Sequence, residues 1–390
     1  MAQQAVSPAI HPSCQASSLW CVPAVNRPPR TDYADNELLL LYDARKPENF
    51  SEAVMRQFGL QEKSNHKLKS IRQTMITAST NGQSPPDLVQ KINQQQKEIE
   101  ASTNNLFFTA AVEPGRQRKN YPMALTGIET AHKYTKGRGT KVCLIDTAID
   151  ASHSSLDNAR VQSYQLINGS AGGLRHGTEV AGVIISKNPR IGVAPEASLI
   201  SMSAFSVDAK SGEYTSNAGL VARAMDFCIG QRVDIMNLSF AGGRDDLVGK
   251  MVRKAIDSGI VVVASAGNNG PGAEPAYPAA IPDVIAVTAV DQAENIFGLA
   301  NRGSYIDLAA PGVDILTTAP RGSFNRASGT SLATAHVTGV IALLMSINRQ
   351  SFRPVMLEKT AIDLGSSGRD NDFGYGLVNI ERALQMNKLR

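Results

Sequence analysis

Over the last two thirds of the chain, apolar positions gather into short, near-continuous runs separated by longer amphipathic stretches. The runs at 198–204, 233–238, 260–265 and 284–290 are rich in Ile, Val and Leu, as strands buried on both faces must be. Between them, 217–230 and 247–258 repeat their apolar residues at three- and four-residue intervals, which predicts helices with one buried stripe. A further strand-like run, K-V-C-L-I-D at 141–146, ends on the carboxylate of Asp146. Two more segments, 175–185 and 328–344, read as helices made largely of small and apolar residues. Alternation of this kind predicts an α/β fold, a doubly wound, mostly parallel sheet with helices on both faces. Residues 121–390 would form it, about 270 residues and enough for one large core.

The pattern before residue 121 is different. Strand-like 37–43, helical 49–60, strand-like 67–79, helical 86–97 and strand-like 105–112 predict a small α+β, ferredoxin-like unit spanning 35–113. Residues 114–120 contain Pro, Gly and the cluster R-Q-R-K, as a solvated linker does. Residues 1–34 have neither a basic start nor an apolar run, so they read as a disordered tail and not as a secretory signal; no stretch reads as a membrane span.

A net charge of +4, with scattered basic residues, gives no reason to expect a nucleic-acid partner. Of the four cysteines, Cys143 and Cys228 stand in apolar surroundings and read as buried thiols, while Cys14 and Cys21 have the spacing to pair in the tail.

Candidate chemistry lies at the ends of these elements. Gly329-Thr330-Ser331 opens a long apolar helix, whose free first-turn N–H groups favour negative charge developing near Ser331. Asp146 ends a strand, where open α/β sheets collect functional groups, and His176 begins a helix of small residues. Singly, each is as well read as a cap, a surface residue or a satisfied core residue. Together they stand in the order Asp, His, Ser, with 146, 176 and 331 at the edges of successive elements.

With those three segments in hand, the chain resembles the subtilase (subtilisin-like serine protease) family. The likeness continues through M-N-L-S-F-A-G-G at 236–243, V-V-V-A-S-A-G-N-N-G at 261–270, Y-P-A-A-I-P-D-V at 277–284, A-P-G-V-D-I at 310–315 and G-Y-G-L-V-N at 374–379. It implies a subtilisin-like fold in which Ser331 attacks a peptide carbonyl, His176 serves as base and then acid, and Asp146 orients the imidazole. Asn268 and the Ser331 N–H would form the oxyanion hole. The primary pocket would be walled by Ser239, Phe240, Ala241 and Gly242 and by Ser265, Ala266 and Gly267, with Ala276 at its floor. All are uncharged, which favours a neutral or apolar residue before the scissile bond.

Three positions depart from the family pattern. Ala148 replaces a usual glycine after Asp146-Thr147, Ala335 replaces a usual proline, and Glu179 stands where a second histidine is common. A carboxylate there raises the His176 pKa if the side chains approach, although helix geometry equally allows it to point away. The segment after the His176 helix, Ser186-Lys187-Asn188-Pro189-Arg190, is short and contains two cations; neither a calcium loop nor another cofactor is expected there.

By position, size and its N-E-L-L-L-L-Y opening, the N-terminal unit is similar to the inhibitory propeptides of subtilases. An independent protein-binding domain is the competing reading. The resemblance as a whole implies a monomeric endopeptidase made as a zymogen, cut near 110–112 and secreted or periplasmic, acting on protein or peptide substrates and held by its own N-terminal domain. An intracellular peptide-maturing protease and a non-catalytic binding protein on the same fold are the alternatives.

Overall fold

The computed structural model describes residues 32–47, 49–109, 121–156, 160–167, 173–208 and 211–388. The N-terminal unit consists of β1 (Tyr33–Asp43), α1 (Glu52–Gln57), β2 (Gln61–Leu68), β3 (Gln73–Ser79), α2 (Pro85–Gln95) and β4 (Glu100–Thr109). Its antiparallel order is β2-β3-β1-β4. Leu38, Leu40, Val54, Ile76, Leu88 and Ile92 make a separate small core. In α2, Pro85 occupies the first turn, where its missing N–H costs nothing, and the helix buries Pro85, Leu88 and Ile92 on one face.

The strand predicted over 67–79 is realised as β3, and a further strand, β2, precedes it. β2 pairs antiparallel with β3 across a short 3-10 turn. The sequence Q-E-K-S-N-H-K-L buries only Leu68, because β2 is an edge strand whose side chains largely face solvent. It therefore carries no hydrophobic alternation to read.

After the short helices α3 (Pro122–Leu125) and α4 (Ile128–Ala131), the chain forms β5 (Lys141–Asp146), β6 (Val161–Gln165), α5 (Arg175–Ile185), β7 (Ser198–Ser203), β8 (Ser206–Val207) and β9 (Tyr214–Asn217). Then follow α6 (Ala218–Gly230), β10 (Ile235–Leu238), β11 (Phe240–Gly242), α7 (Asp246–Asp257), β12 (Val261–Ser265), β13 (Ile285–Val290) and β14 (Leu308–Pro311). The hairpin β15 (Ile315–Ala319) and β16 (Ser323–Ala327) leads into α8 (Thr330–Asn348), and α9 (Val355–Thr360) and α10 (Ile380–Lys388) close the chain.

The main sheet runs β14-β13-β12-β10-β5-β7-β6, and every pair in it is parallel. The order reverses between β5 and β10, so Asp146 ends a strand at the switch point, where a crevice opens in folds of this kind. Helices start where side chains cap them: Asn217 Oδ1 accepts the Leu220 N–H, and Asp245 Oδ1 accepts the Val248 N–H.

α8 is long and apolar enough to cross a membrane, yet it is a core helix, buried from Thr330 through Met345. Small residues let it lie close to its neighbours. A Cβ at Gly339 would come within 2.5 Å of Val193 Cβ.

Cys143 and Cys228 are not free thiols: they form a disulfide joining β5 to α6, with Cα atoms 6.1 Å apart. Their apolar context had revealed burial, but pairing depends on which helix lies over which strand. Cys14 and Cys21 lie outside the described residues. The bridge closes a loop of 85 residues, which in the chain-entropy account contributes about 4–5 kcal/mol. Replacing both cysteines by alanine should thus lower the urea midpoint markedly, and reductant should reproduce the loss in unfolded, refolding wild-type protein. An unchanged midpoint would show that the bridge does not form.

β4 belongs to more than one partnership. Residues 100–103 pair with β1, whereas Leu106, Phe107 and Phe108 lie opposite Asn217, Ser216 and Thr215 of β9. On the other side Phe107, Phe108 and Thr109 lie opposite Gly242, Ala241 and Phe240 of β11. The N-terminal unit thereby inserts its last strand between two strands of the larger one. Side chains secure the join: Asp226 of α6 accepts the Lys69 and Ser70 N–H groups, Asn104 Oδ1 accepts the Gly219 N–H, and Lys250 pairs with Glu100.

Candidate active site

Asp146 and His176 meet as their elements converge. The carboxylate is buried at the end of β5, and its Oδ1 accepts the Thr147 N–H at 2.6 Å. The same oxygen is 2.7 Å from His176 Nδ1. A carboxylate only accepts, so Nδ1 carries the proton and Nε2 of the neutral ring offers its lone pair. Nε2 is buried and has no hydrogen-bond partner. Burial alone would push the imidazole pKa down, but the charge and hydrogen bond of Asp146, with a contribution from Glu179, outweigh it and the pKa is raised.

The turn leaving β5 does not need a glycine: Ala148 is not among the residues with positive φ. Gly177 is needed instead, because a Cβ there would come within 2.5 Å of the Thr147 carbonyl oxygen.

Ser331 is the second residue of α8 and is buried. It follows Gly329, whose φ of 152° lies where side chains are rarely accommodated. The Ser331 hydroxyl donates to the Ser239 carbonyl at 3.0 Å, while the Ser239 hydroxyl donates to the Ser331 carbonyl at 3.1 Å. Behind them Asn237 Nδ2 donates to Ser239 Oγ, and Thr338 Oγ1 donates to Asn237 Oδ1. This buried chain fixes the first turn of α8. Ala335 sits within the unbroken helix.

The Asn268 amide has distinguishable ends. Its Oδ1 accepts from the Thr330 N–H at 3.2 Å and the Thr330 hydroxyl at 3.0 Å, whereas its buried Nδ2 has no partner. Buried polar groups without partners are rare in folded proteins. Here an acceptor, His176 Nε2, and a donor, Asn268 Nδ2, are both unpaired, and both residues line one cleft of about 670 Å³. An attacking hydroxyl and a reacting carbonyl together bring the complementary groups: the hydroxyl a proton for the base to take, the carbonyl an oxygen to accept from the amide.

The expected pocket residues divide. Ala241, Gly242 and Ala276 line the cleft, together with Gly243, Asn269 and Ala273. Ser239 and Ser265 lie beneath its surface, the latter donating to the Phe240 carbonyl. Phe240 is fully buried between Phe107 and Phe205, with ring centroids 5.6 and 5.0 Å away. Ala266 is buried, and Gly267 has a φ of 96° with Asn301 packed against it. The cleft also has charged lining: Arg175 and Glu179 from the His176 helix, and Asp32, Glu213 and Glu274, which the motif segments did not reveal. The last three come from loops, so no single stretch of sequence groups them.

Fold and sequence kinship together make this chain a subtilisin-like serine endopeptidase. The chain belongs to the subtilase family, whose sequence profile matches residues 137–376. It is 36% identical over 261 residues to the subtilisin of Bacillus pumilus, covering 64% of this chain and 92% of that protein. To the major intracellular serine protease of Bacillus subtilis (strain 168) it is 34% identical over 241 residues, covering 58% of this chain and 74% of the relative.

Among solved structures it is similar to fervidolysin of Fervidobacterium pennivorans, described as a keratinolytic enzyme related to subtilisin, with a TM-score of 0.77 and 26% identity. That likeness covers 92% of this chain and 62% of the other. Such a share exceeds what residues 121–390 can supply, so it extends into the N-terminal unit.

Proposed function

We propose that this subtilisin-like serine endopeptidase works through Asp146, His176 and Ser331, and that residues 35–113 are its inhibitory propeptide. The observation that carries the catalytic reading is the pair of unpartnered groups at the cleft, His176 Nε2 and Asn268 Nδ2. His176 takes the Ser331 proton as the hydroxyl attacks and returns it to the leaving amine. Asp146 holds the tautomer and offsets the imidazolium charge. Asn268 Nδ2 and the Ser331 N–H receive the oxyanion. To react, the hydroxyl must give up its hydrogen bond to the Ser239 carbonyl.

Asn268→Ala should lower kcat by roughly 10²–10³-fold with little change in KM, since the lost donor acts on charge that develops only in the transition state. An unchanged kcat would reduce Asn268 to a turn residue. Because His176 must be neutral to act, its raised pKa means that kcat/KM is lost as pH falls through a value above that of an ordinary imidazole.

The propeptide reading is supported by β4, which pairs with β9 and β11 through its main chain as an extended substrate does. β4 ends at Thr109 opposite Phe240, next to the Ser239 carbonyl that accepts the Ser331 hydroxyl. The end of β4 at Thr109 supports a processing bond at 110–112, which lies outside the described residues. N-terminal sequencing of the matured protein tests this, and a start within 35–100 would refute it.

A neutral residue before the scissile bond remains the proposed preference, carried by Ala241, Gly242 and Ala276 at the cleft. Cleavage profiling of a peptide library decides it. The Cys143–Cys228 bridge favours export to an oxidising compartment. Kinship assigns none, since the relatives include proteins named as intracellular serine proteases.

A further inference from the structure

We propose that Glu179 is a positioning residue for this reaction: it clamps the helix bearing His176 to the strand that leads into Ser331, and holds a fixed negative charge beside the imidazole. The inference rests on the catalytic reading given above.

The Glu179 side chain is only 3% exposed, yet it borders the cleft. A carboxylate so placed must be well bonded to be tolerated. Its Oε1 accepts from Arg175 Nε at 2.9 Å and from Asn325 Nδ2 at 3.1 Å. Asn325 belongs to β16, whose last residue, Ala327, is followed directly by Ser328, Gly329 and α8.

The same seam continues along the backbone. Thr317 and Thr318 of β15 donate their hydroxyls to the Glu179 and Thr178 carbonyls at 2.6 and 2.7 Å. A Cβ at Gly182 would come within 2.1 Å of Thr318 Oγ1, so only glycine lets helix and hairpin approach this closely. Through Asn325, the Glu179 side chain thus adds a direct tie from α5 to the strand entering the serine turn.

Its second effect is electrostatic. Positions three apart on a helix are neighbours, which puts Glu179 beside His176. The charged or titratable groups around the imidazole are Asp146 from β5, Arg175 and Glu179 from its own helix, and Tyr214 from β9. Asp32, Glu213 and Glu274 border the same cleft. β15 contributes no charge, and α8 contributes His336, which burial holds neutral with a pKa of about 4. Arg175 is 38% exposed and screened by water, whereas Glu179 is not. The positive imidazolium formed during attack therefore sees two buried carboxylates and not one.

The two effects separate by substitution in the mature protein. Glu179→Gln keeps an oxygen for Asn325 and removes the charge; Asn325→Ala keeps the charge and removes the clamp. The readouts are the pH profile of kcat/KM and, in a Ser331→Ala background, NMR titration of the His176 ring. Glu179→Gln should move both the acidic limb and the titration midpoint to lower pH. Asn325→Ala should lower kcat by about tenfold to a hundredfold, the scale of a small misplacement, and leave the limb where it was. Should Glu179→Gln fail to fold, Glu179→Asp gives the converse, a retained midpoint with reduced kcat.

An unmoved limb and midpoint in Glu179→Gln would overturn the charge effect, and an unchanged kcat in Asn325→Ala would overturn the clamp. A midpoint that moves in a protein without peptidase activity would keep the charge contact between Glu179 and His176 but reject the catalytic reading, and with it any role of Glu179 in the reaction.

Discussion

Ser331→Ala is expected to abolish peptide hydrolysis while leaving the fold intact. The substitution removes one oxygen and its hydrogen bond to the Ser239 carbonyl, and the remaining chain through Ser239, Asn237 and Thr338 still fixes the helix start. In subtilisin, a relative of this protein, loss of the nucleophile costs about 10⁶-fold in kcat. The same scale applies here if the base, the orienting carboxylate and the oxyanion donor act on this hydroxyl. The variant should also accumulate as the unprocessed chain. Purified Ser331→Ala protein retaining more than about a hundredth of the wild-type rate would place the nucleophile elsewhere.

The second large effect is expected from the N-terminal unit added in trans. A fragment of residues 32–112 should inhibit the mature catalytic domain competitively at micromolar concentration or below. It has its own apolar core, and its last strand brings main-chain donors and acceptors to β9 and β11. Phe107 contributes most: it is fully buried and packs edge-on against Phe240. Ending the fragment before Asn104 leaves residues 100–103 paired with β1 but removes every contact with β9 and β11. Inhibition should weaken by at least about a hundredfold, as when a central anchor is lost from an interface. A full fragment that folds but leaves hydrolysis untouched would identify the unit as a separate recognition domain.

What the chain disclosed in advance follows a physical rule. The parallel strands and the helices at 218–230 and 246–257 announce themselves because burial demands apolar runs and stripes. Asp146, His176 and Ser331 stood out by their order and their places at the edges of elements, whereas Asn268, an ordinary turn residue on its own, came into view only through the family resemblance. β2 stayed hidden because a solvent-facing edge strand has no hydrophobic period. The Cys143–Cys228 bridge and the charged lining of the cleft were hidden for another reason: both arise where distant segments meet, and local patterning carries no record of those meetings. Glu179 is intermediate. Its spacing from His176 was visible, but the bond to Asn325 that fixes its orientation was not.

The strand inserted between β9 and β11 has a bearing on how activity would appear over time. While β4 is covalently attached, its local concentration at the cleft is of millimolar order, set by the tether and not by how much protein is in the tube. Cutting the chain beyond Thr109 breaks no hydrogen bond of this strand, so the severed unit stays seated and departs at its own dissociation rate. On the propeptide reading proposed above, two clocks would run in sequence: a unimolecular cut, insensitive to dilution, and an escape that dilution makes irreversible. A concentrated preparation would hold enzyme that is processed yet silent, and lowering the protein concentration would raise its specific activity without any further peptide bond being broken.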